Sequence, residues 1–138
     1  MRRLLLLAAL AAAALATGAS AGAAVAQQTS YAFGRTGGNI RPYTVTISAT
    51  GVVRASGPIA VGTKRLKPTQ LATLRRLTVK LRFGALPAKT LCTGTLPDVA
   101  ATFIRVGSRR VLVHGECVAR YTRFWLALGK AVQLTGMA

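Results

Sequence analysis

Acidic side chains are almost missing from this chain. Its 138 residues include two carboxylates, Asp98 and Glu116, and one histidine, His114. General acid–base catalysis uses titratable groups in pairs or triads. The one set available is His114 and Glu116, close in sequence, with Asp98 approaching from another segment. His114 reads more simply as a strand-end residue held by a hydrogen bond, and Asp98, following Pro97, as a turn or strand-end residue. Ser30, Ser48, Ser56 and Ser108 sit in no nucleophile-elbow pattern. Gly37-Gly38 lacks the spacing of a phosphate loop or dinucleotide fingerprint. The chain is therefore expected not to be an enzyme and to use no cofactor.

Long hydrophobic runs are also scarce. The one present, residues 4–16, is an unbroken stretch of Leu and Ala, shorter than the ~20 residues that span a bilayer. Arg2 and Arg3 precede it, Thr17, Gly18 and Ser20 loosen its end, and Ala24-Val25-Ala26 supplies an A-x-A cleavage site. That is the pattern of a secretory signal peptide over residues 1–26, with Ala19-Ser20-Ala21 as a competing cut. The expected location is extracellular or in a bacterial cell envelope, with no transmembrane segment after cleavage. Residues 27–138 remain, 112 of the 138, enough for one domain with its own core.

Cysteine is limited to Cys92 and Cys117. With a single histidine they complete no four-ligand zinc site, and their spacing is not C-x-x-C, so neither a metal nor a redox pair is expected. In an exported chain two cysteines pair. A Cys92–Cys117 disulfide would close a ring around the stretch between them and stabilise the fold by roughly 3–4 kcal/mol.

Positive charge is what the sequence has in excess. Lys and Arg number 19 and the formal net charge is +17; without Arg2 and Arg3 it is +15. So one-sided a charge favours anionic partners. It follows equally from a GC-rich base composition, since Arg outnumbers Lys 14 to 5. The candidate anion-binding residues are Arg75, Arg76 and Lys80 in one segment and Arg105, Arg109 and Arg110 in another. Nucleic acid is not the expected partner. The most aromatic set, Tyr121, Phe124 and Trp125, has helix-core spacing and forms no stacking platform, and export removes the chain from the genome.

Periodicity gives the elements. Residues 31–35 read as a short strand. Tyr43, Val45 and Ile47 alternate with Thr44, Thr46 and Ser48, and a second strand over 52–56 returns after Gly51, forming a hairpin. Pro68 opens a helix whose Leu71, Leu74, Leu77 and Leu81 share one face, with Gly84 as its stop. Residues 100–106 and 109–114 flank Gly107-Ser108, a two-residue hairpin loop that sets Phe103 opposite Leu112, Ile104 opposite Val111 and Arg105 opposite Arg110. Tyr121, Phe124, Trp125, Leu128 and Val132 mark a second helix. The expected fold is α+β: two β-hairpins each followed by a helix (ββαββα), an antiparallel sheet packed by two helices, with one disulfide. The halves suggest a degenerate duplication with corresponding points near Tyr43 and Ala101.

The layout resembles a group of small secreted actinobacterial proteins of uncharacterised function. The motifs that carry the resemblance are Gly37-Gly38, the L-x-P-x-Q-L helix opening from Leu66 to Leu71, the F-x-x-L-P helix end from Phe83 to Pro87, and Cys92-Thr93-Gly94-Thr95-Leu96-Pro97-Asp98. It is also loosely similar to emfourin-type inhibitors of thermolysin-like metalloproteases, from which it departs in its two cysteines and few acids. That likeness implies a non-catalytic domain that binds a protease. Two functions are thus expected of the chain: a partner or inhibitor of an extracellular protein, contacting it through the loops 34–42 and 59–67, or a basic binder of anionic polymers or envelope surfaces.

Overall fold

Four consecutive buried residues, Tyr31, Ala32, Phe33 and Gly34, place the first strand at the middle of the molecule rather than at its margin. The computed structural model describes residues 30–138. The expected signal peptide, residues 1–26, lies outside them. The elements run β1 (Tyr31–Thr36), β2 (Tyr43–Ile47), β3 (Val53–Ser56), α1 (Pro68–Lys80), β4 (Lys89–Leu91), β5 (Ala101–Val106), β6 (Arg109–His114) and α2 (Thr122–Thr135). The six strands form one sheet in the order β3-β2-β1-β5-β6-β4. None of the described helices is long and apolar enough to cross a membrane.

The α+β class is as expected, but the ββαββα arrangement and the wholly antiparallel sheet are not. β1 is a full strand that pairs with both β2 and β5 and joins the two halves. Its apolar residues are buried on both faces, so it lacks the alternation by which a half-buried strand is recognised. β4 pairs parallel to β6 through Lys89–Leu91, opposite Leu112, Val113 and His114. Three residues are too few to show any period. The partner of β5 across the sheet centre is therefore β1, in a register that sets Ala101 opposite Thr36 at the end of that strand.

Register puts the core on one side. Phe33 lies opposite Val45 and Ile104, Tyr31 opposite Ile47, Ile47 opposite Val53, and Ile104 opposite Val111. These side chains form one buried cluster with Leu71 and Leu74 of α1 and Phe124, Ala127 and Ala131 of α2, so both helices cover the same sheet face. Burying each such Leu or Phe contributes roughly 1.5–3 kcal/mol.

α1 starts at Pro68 as expected, and the Lys67 N–H donates to Gln70 Oε1 at 2.8 Å, which supplies half of a capping box. The helix stops at Lys80, short of Gly84. Arg82 takes a left-handed conformation at φ 51°, and a 3₁₀ turn over Phe83–Ala85 buries Phe83. α2 turns a different stripe inward from the one the large residues mark. Phe124, Ala127, Ala131 and Thr135 are buried, while Tyr121, Trp125, Leu128 and Val132 pack at its margin. Small alanines let the helix approach the sheet closely. Cys92 and Cys117 are joined in a disulfide with a Cα–Cα distance of 5.5 Å, tying the segment before β5 to the segment after β6.

Candidate anion-binding site

The sheet face opposite the helices carries polar and small residues. One line across its strands is unusual in composition. Arg54 pairs with Thr46, Thr46 with Ala32, Ala32 with Arg105, and Arg105 with Arg110. Each lies on an adjacent strand, from β3 through β2, β1 and β5 to β6, so all five side chains point to the same side. At about 4.8 Å per strand, the Cα atoms of Arg54 and Arg105 stand about 14 Å apart, with Arg110 about 5 Å further on. The next line reads Ser56, Thr44, Gly34, Phe103, Leu112 and Lys89. No carboxylate stands in either line. A Cβ on Gly34 would strike the Tyr43 carbonyl, so glycine is required there and leaves a low floor between Thr44 and Phe103.

Arg54, Arg105 and Arg110 are exposed. Arg110 lies 4.4 Å over the Phe103 ring, a cation–π contact that draws it along the strand and away from Arg105. The three guanidiniums donate to no described protein acceptor, whereas Arg65, Arg75 and Arg109 donate to the carbonyls of Thr50, Ala49 and Leu86 respectively. Two clefts flank Arg105. One of about 440 Å³ is lined by Ser30, Thr46, Ser48, Thr50, Arg54 and Arg105 among others. The second, about 320 Å³, is lined by Ala32, Thr44, Phe103, Arg35, Arg105 and Arg110 among others.

The structure thus divides the six basic residues singled out in the sequence. It brings Arg105 and Arg110 together on the open face. Arg109, one residue away, points to the other side of the sheet, where it bonds the Leu86 carbonyl. Arg75 is partly buried and donates to Ala49 O at 2.9 Å. Arg76 and Lys80 are exposed on α1, on the helix-covered side. Sequence reasoning missed Arg54. Its only local signal is its place in a strand directly after the buried Val53, and its neighbours in the row arrive through pairings far apart in the chain.

The scarce titratable groups lie elsewhere. His114 Nε2 is hydrogen-bonded with the Val99 carbonyl at the end of β6, a strand-end residue as expected. Asp98 Oδ2 accepts from Asn39 Nδ2 at 3.3 Å, and the Asp98 carbonyl accepts from the Asn39 N–H at 3.0 Å, fastening the β1–β2 loop to the segment before β5. Among the described residues no three His, Cys, Asp or Glu side chains are grouped as metal ligands. Residues 59–67 are held by backbone bonds from Gly62 to Gly136, Thr63 to Thr135 and Leu66 to Gly51. Burial raises the Tyr31 phenol above its ordinary pKa, and the neighbouring Thr78 hydroxyl and Arg75 charge pull it part of the way back. Comparison with protein-family models, with curated proteins and with solved structures returned no match to this chain.

Proposed function

We propose that this chain is an exported, non-enzymatic binding domain that holds an anionic polymer against the open face of its sheet. The observation that carries the reading is the line Arg54–Thr46–Ala32–Arg105–Arg110. It places three exposed guanidiniums in one row over a floor of small side chains with no carboxylate beside them. Like charges on adjacent strands oppose folding, and a bound polyanion reverses the sign of that cost. The two cysteines, paired as a disulfide, and the leader-like N-terminal sequence support export.

The test is a charge-matched comparison on an immobilised polyanion such as polyglutamate. The triple variant Arg54→Ala/Arg105→Ala/Arg110→Ala removes the row. Arg76→Ala/Lys80→Ala/Arg123→Ala removes the same charge from the helices. The wild type is expected to elute later than the row variant, with the helix variant close to wild type. Elution of both variants at one salt concentration would reduce the effect to net charge and overturn the reading.

A second reading, docking to an extracellular protein of the kind an inhibitor would bind, is favoured by one observation. Leu91, Leu96 and Val118 are 63%, 65% and 53% exposed in the segments next to the disulfide. Retention of one protein partner at high salt, lost on Leu91→Ser/Val118→Ser, would support it over the first.

A further inference from the structure

We infer that the larger cleft on the open face is a phosphate subsite, so that the polymer it takes is a polyol or sugar phosphodiester. This rests on the polyanion reading above and names the ligand for it. Arg54 and Arg105 close the cleft from opposite sides, and between them the lining offers the hydroxyls of Ser30, Thr46, Ser48 and Thr50. At about 440 Å³ the space exceeds a bare anion and suits a small organic unit.

The chemistry of this lining distinguishes phosphate from carboxylate. Guanidinium forks that arrive from two sides need an anion with acceptor oxygens facing both ways. A carboxylate can bridge two forks, but its roughly four lone-pair sites lie in one plane and are then all used, whereas a tetrahedral phosphodiester carries acceptor lone pairs outside one plane and can serve both forks and a floor hydroxyl together. Hydroxyls donate, so they serve the phosphate lone pairs that the two forks leave free. One wall is already fixed in place. The Ser48 N–H donates to Val52 O at 2.8 Å, the Val52 N–H donates to Ser48 Oγ at 3.0 Å, and the Ser48 and Thr50 hydroxyls are paired at 3.0 Å. Arg65 Nη1 also donates to the Thr50 carbonyl at 3.3 Å. Thr46, in the row itself, is held only by a 3.5 Å contact to the Arg54 carbonyl, so its hydroxyl is free to turn toward a ligand. Arg105 lines both clefts, so the polymer crosses the strands and passes over Arg105 into the second cleft, where Arg110 receives the following anionic group.

The experiment is calorimetric titration of the whole protein, at one ionic strength, with two probes of equal charge number: a synthetic polyol-phosphodiester oligomer and an oligouronate. Wild type is expected to bind the phosphodiester about tenfold more tightly, the difference of one or two hydrogen bonds to a charged group. Thr46→Val keeps the strand shape and removes a hydroxyl. It is expected to lower the phosphodiester affinity about tenfold while leaving the oligouronate affinity unchanged. Equal wild-type affinities, tighter binding of the oligouronate, or an equal loss of both in Thr46→Val would overturn the phosphate subsite. The triple row variant separates that failure from failure of the underlying reading. If it loses both probes the row stands; if it binds both as wild type does, the open face is not the binding surface at all.

Discussion

Arg105 and Arg110 stand directly opposite each other on β5 and β6, and they are not equivalent: Arg110 lies 4.4 Å over the Phe103 ring, whereas Arg105 projects between the two clefts. Their repulsion is a cost of the free protein, and the aromatic contact relieves it on one side only. Arg105→Thr should therefore stabilise the unliganded protein by about 0.5 kcal/mol while weakening its binding to polyanions. Arg110→Ala lifts the same repulsion but loses the contact with Phe103, so it should be less stable than Arg105→Thr by about 0.5–1 kcal/mol. Urea unfolding at low salt reads both. At high salt the gain from Arg105→Thr should shrink as the repulsion is screened, and the deficit of Arg110→Ala relative to Arg105→Thr should persist.

Both helices carry a local feature at odds with their stability. Gly129 sits inside α2 with open space where a Cβ would stand. Gly129→Ala is expected to stabilise by about 1 kcal/mol, the difference in helix propensity. Arg82 ends the α1 region in a left-handed conformation, at φ 51°, that side chains other than glycine adopt at a cost. Arg82→Gly relieves that cost but gives the unfolded chain more freedom, so the net gain should be near 0.5 kcal/mol. Thermal unfolding of the two single variants would show a larger rise for Gly129→Ala.

The sequence carried the second hairpin almost completely. Gly107-Ser108 is a two-residue loop, and it fixes Phe103 against Leu112, Ile104 against Val111 and Arg105 against Arg110, as found. The Cys92–Cys117 pairing followed from there being no other use for two thiols. The place of β1 was hidden for a physical reason. Its pairing with β5 joins residues about as far apart as the fold allows, and its burial on both faces erases the period-two signal. The inward stripe of α2 was misplaced because Ala127 and Ala131 were outweighed by larger neighbours, although small residues are what let a helix lie close on a sheet. Two of the three arginines in the row were legible as the Arg105–Arg110 pair. The third, Arg54, joins them only through β2 and β1, which no local pattern records.

Tyr31 gives the fold an alkaline limit. Burial raises its phenol pKa above the usual value near 10. The unfolded chain therefore releases that proton at lower pH than the folded protein. Below about pH 10 both states hold the proton and the contribution is complete. As pH rises beyond that, the unfolded state binds fewer protons and stability falls until the folded phenol also ionises. Tyr31→Phe has no such proton. The stability of wild type relative to Tyr31→Phe should be constant from about pH 8 to pH 9.5 and should fall toward pH 11. Taking the difference between the two proteins removes the changing lysine repulsion common to both. A difference independent of pH across this range would mean that the phenol is not held protonated by the core.

The disulfide acts on the unfolded chain more than on the site. Cys92 and Cys117 are separated by 25 residues, a ring that holds β5 and β6 in one loop. Reduction frees that loop in the denatured ensemble and should lower the unfolding free energy by about 3 kcal/mol. Cys92→Ala/Cys117→Ala should cost slightly more, because Cys92 is buried in the core cluster and its sulfur leaves a small void. Neither change touches the register between β3 and β6, which is set by strand pairing, so the arginine row persists in whatever fraction remains folded. Urea unfolding with and without reductant, beside polyanion affinity at low temperature, tests both halves of the argument. The midpoint should fall sharply and the affinity should hold. An affinity lost together with the disulfide would mean that the ring, and not the sheet, positions Arg105 and Arg110.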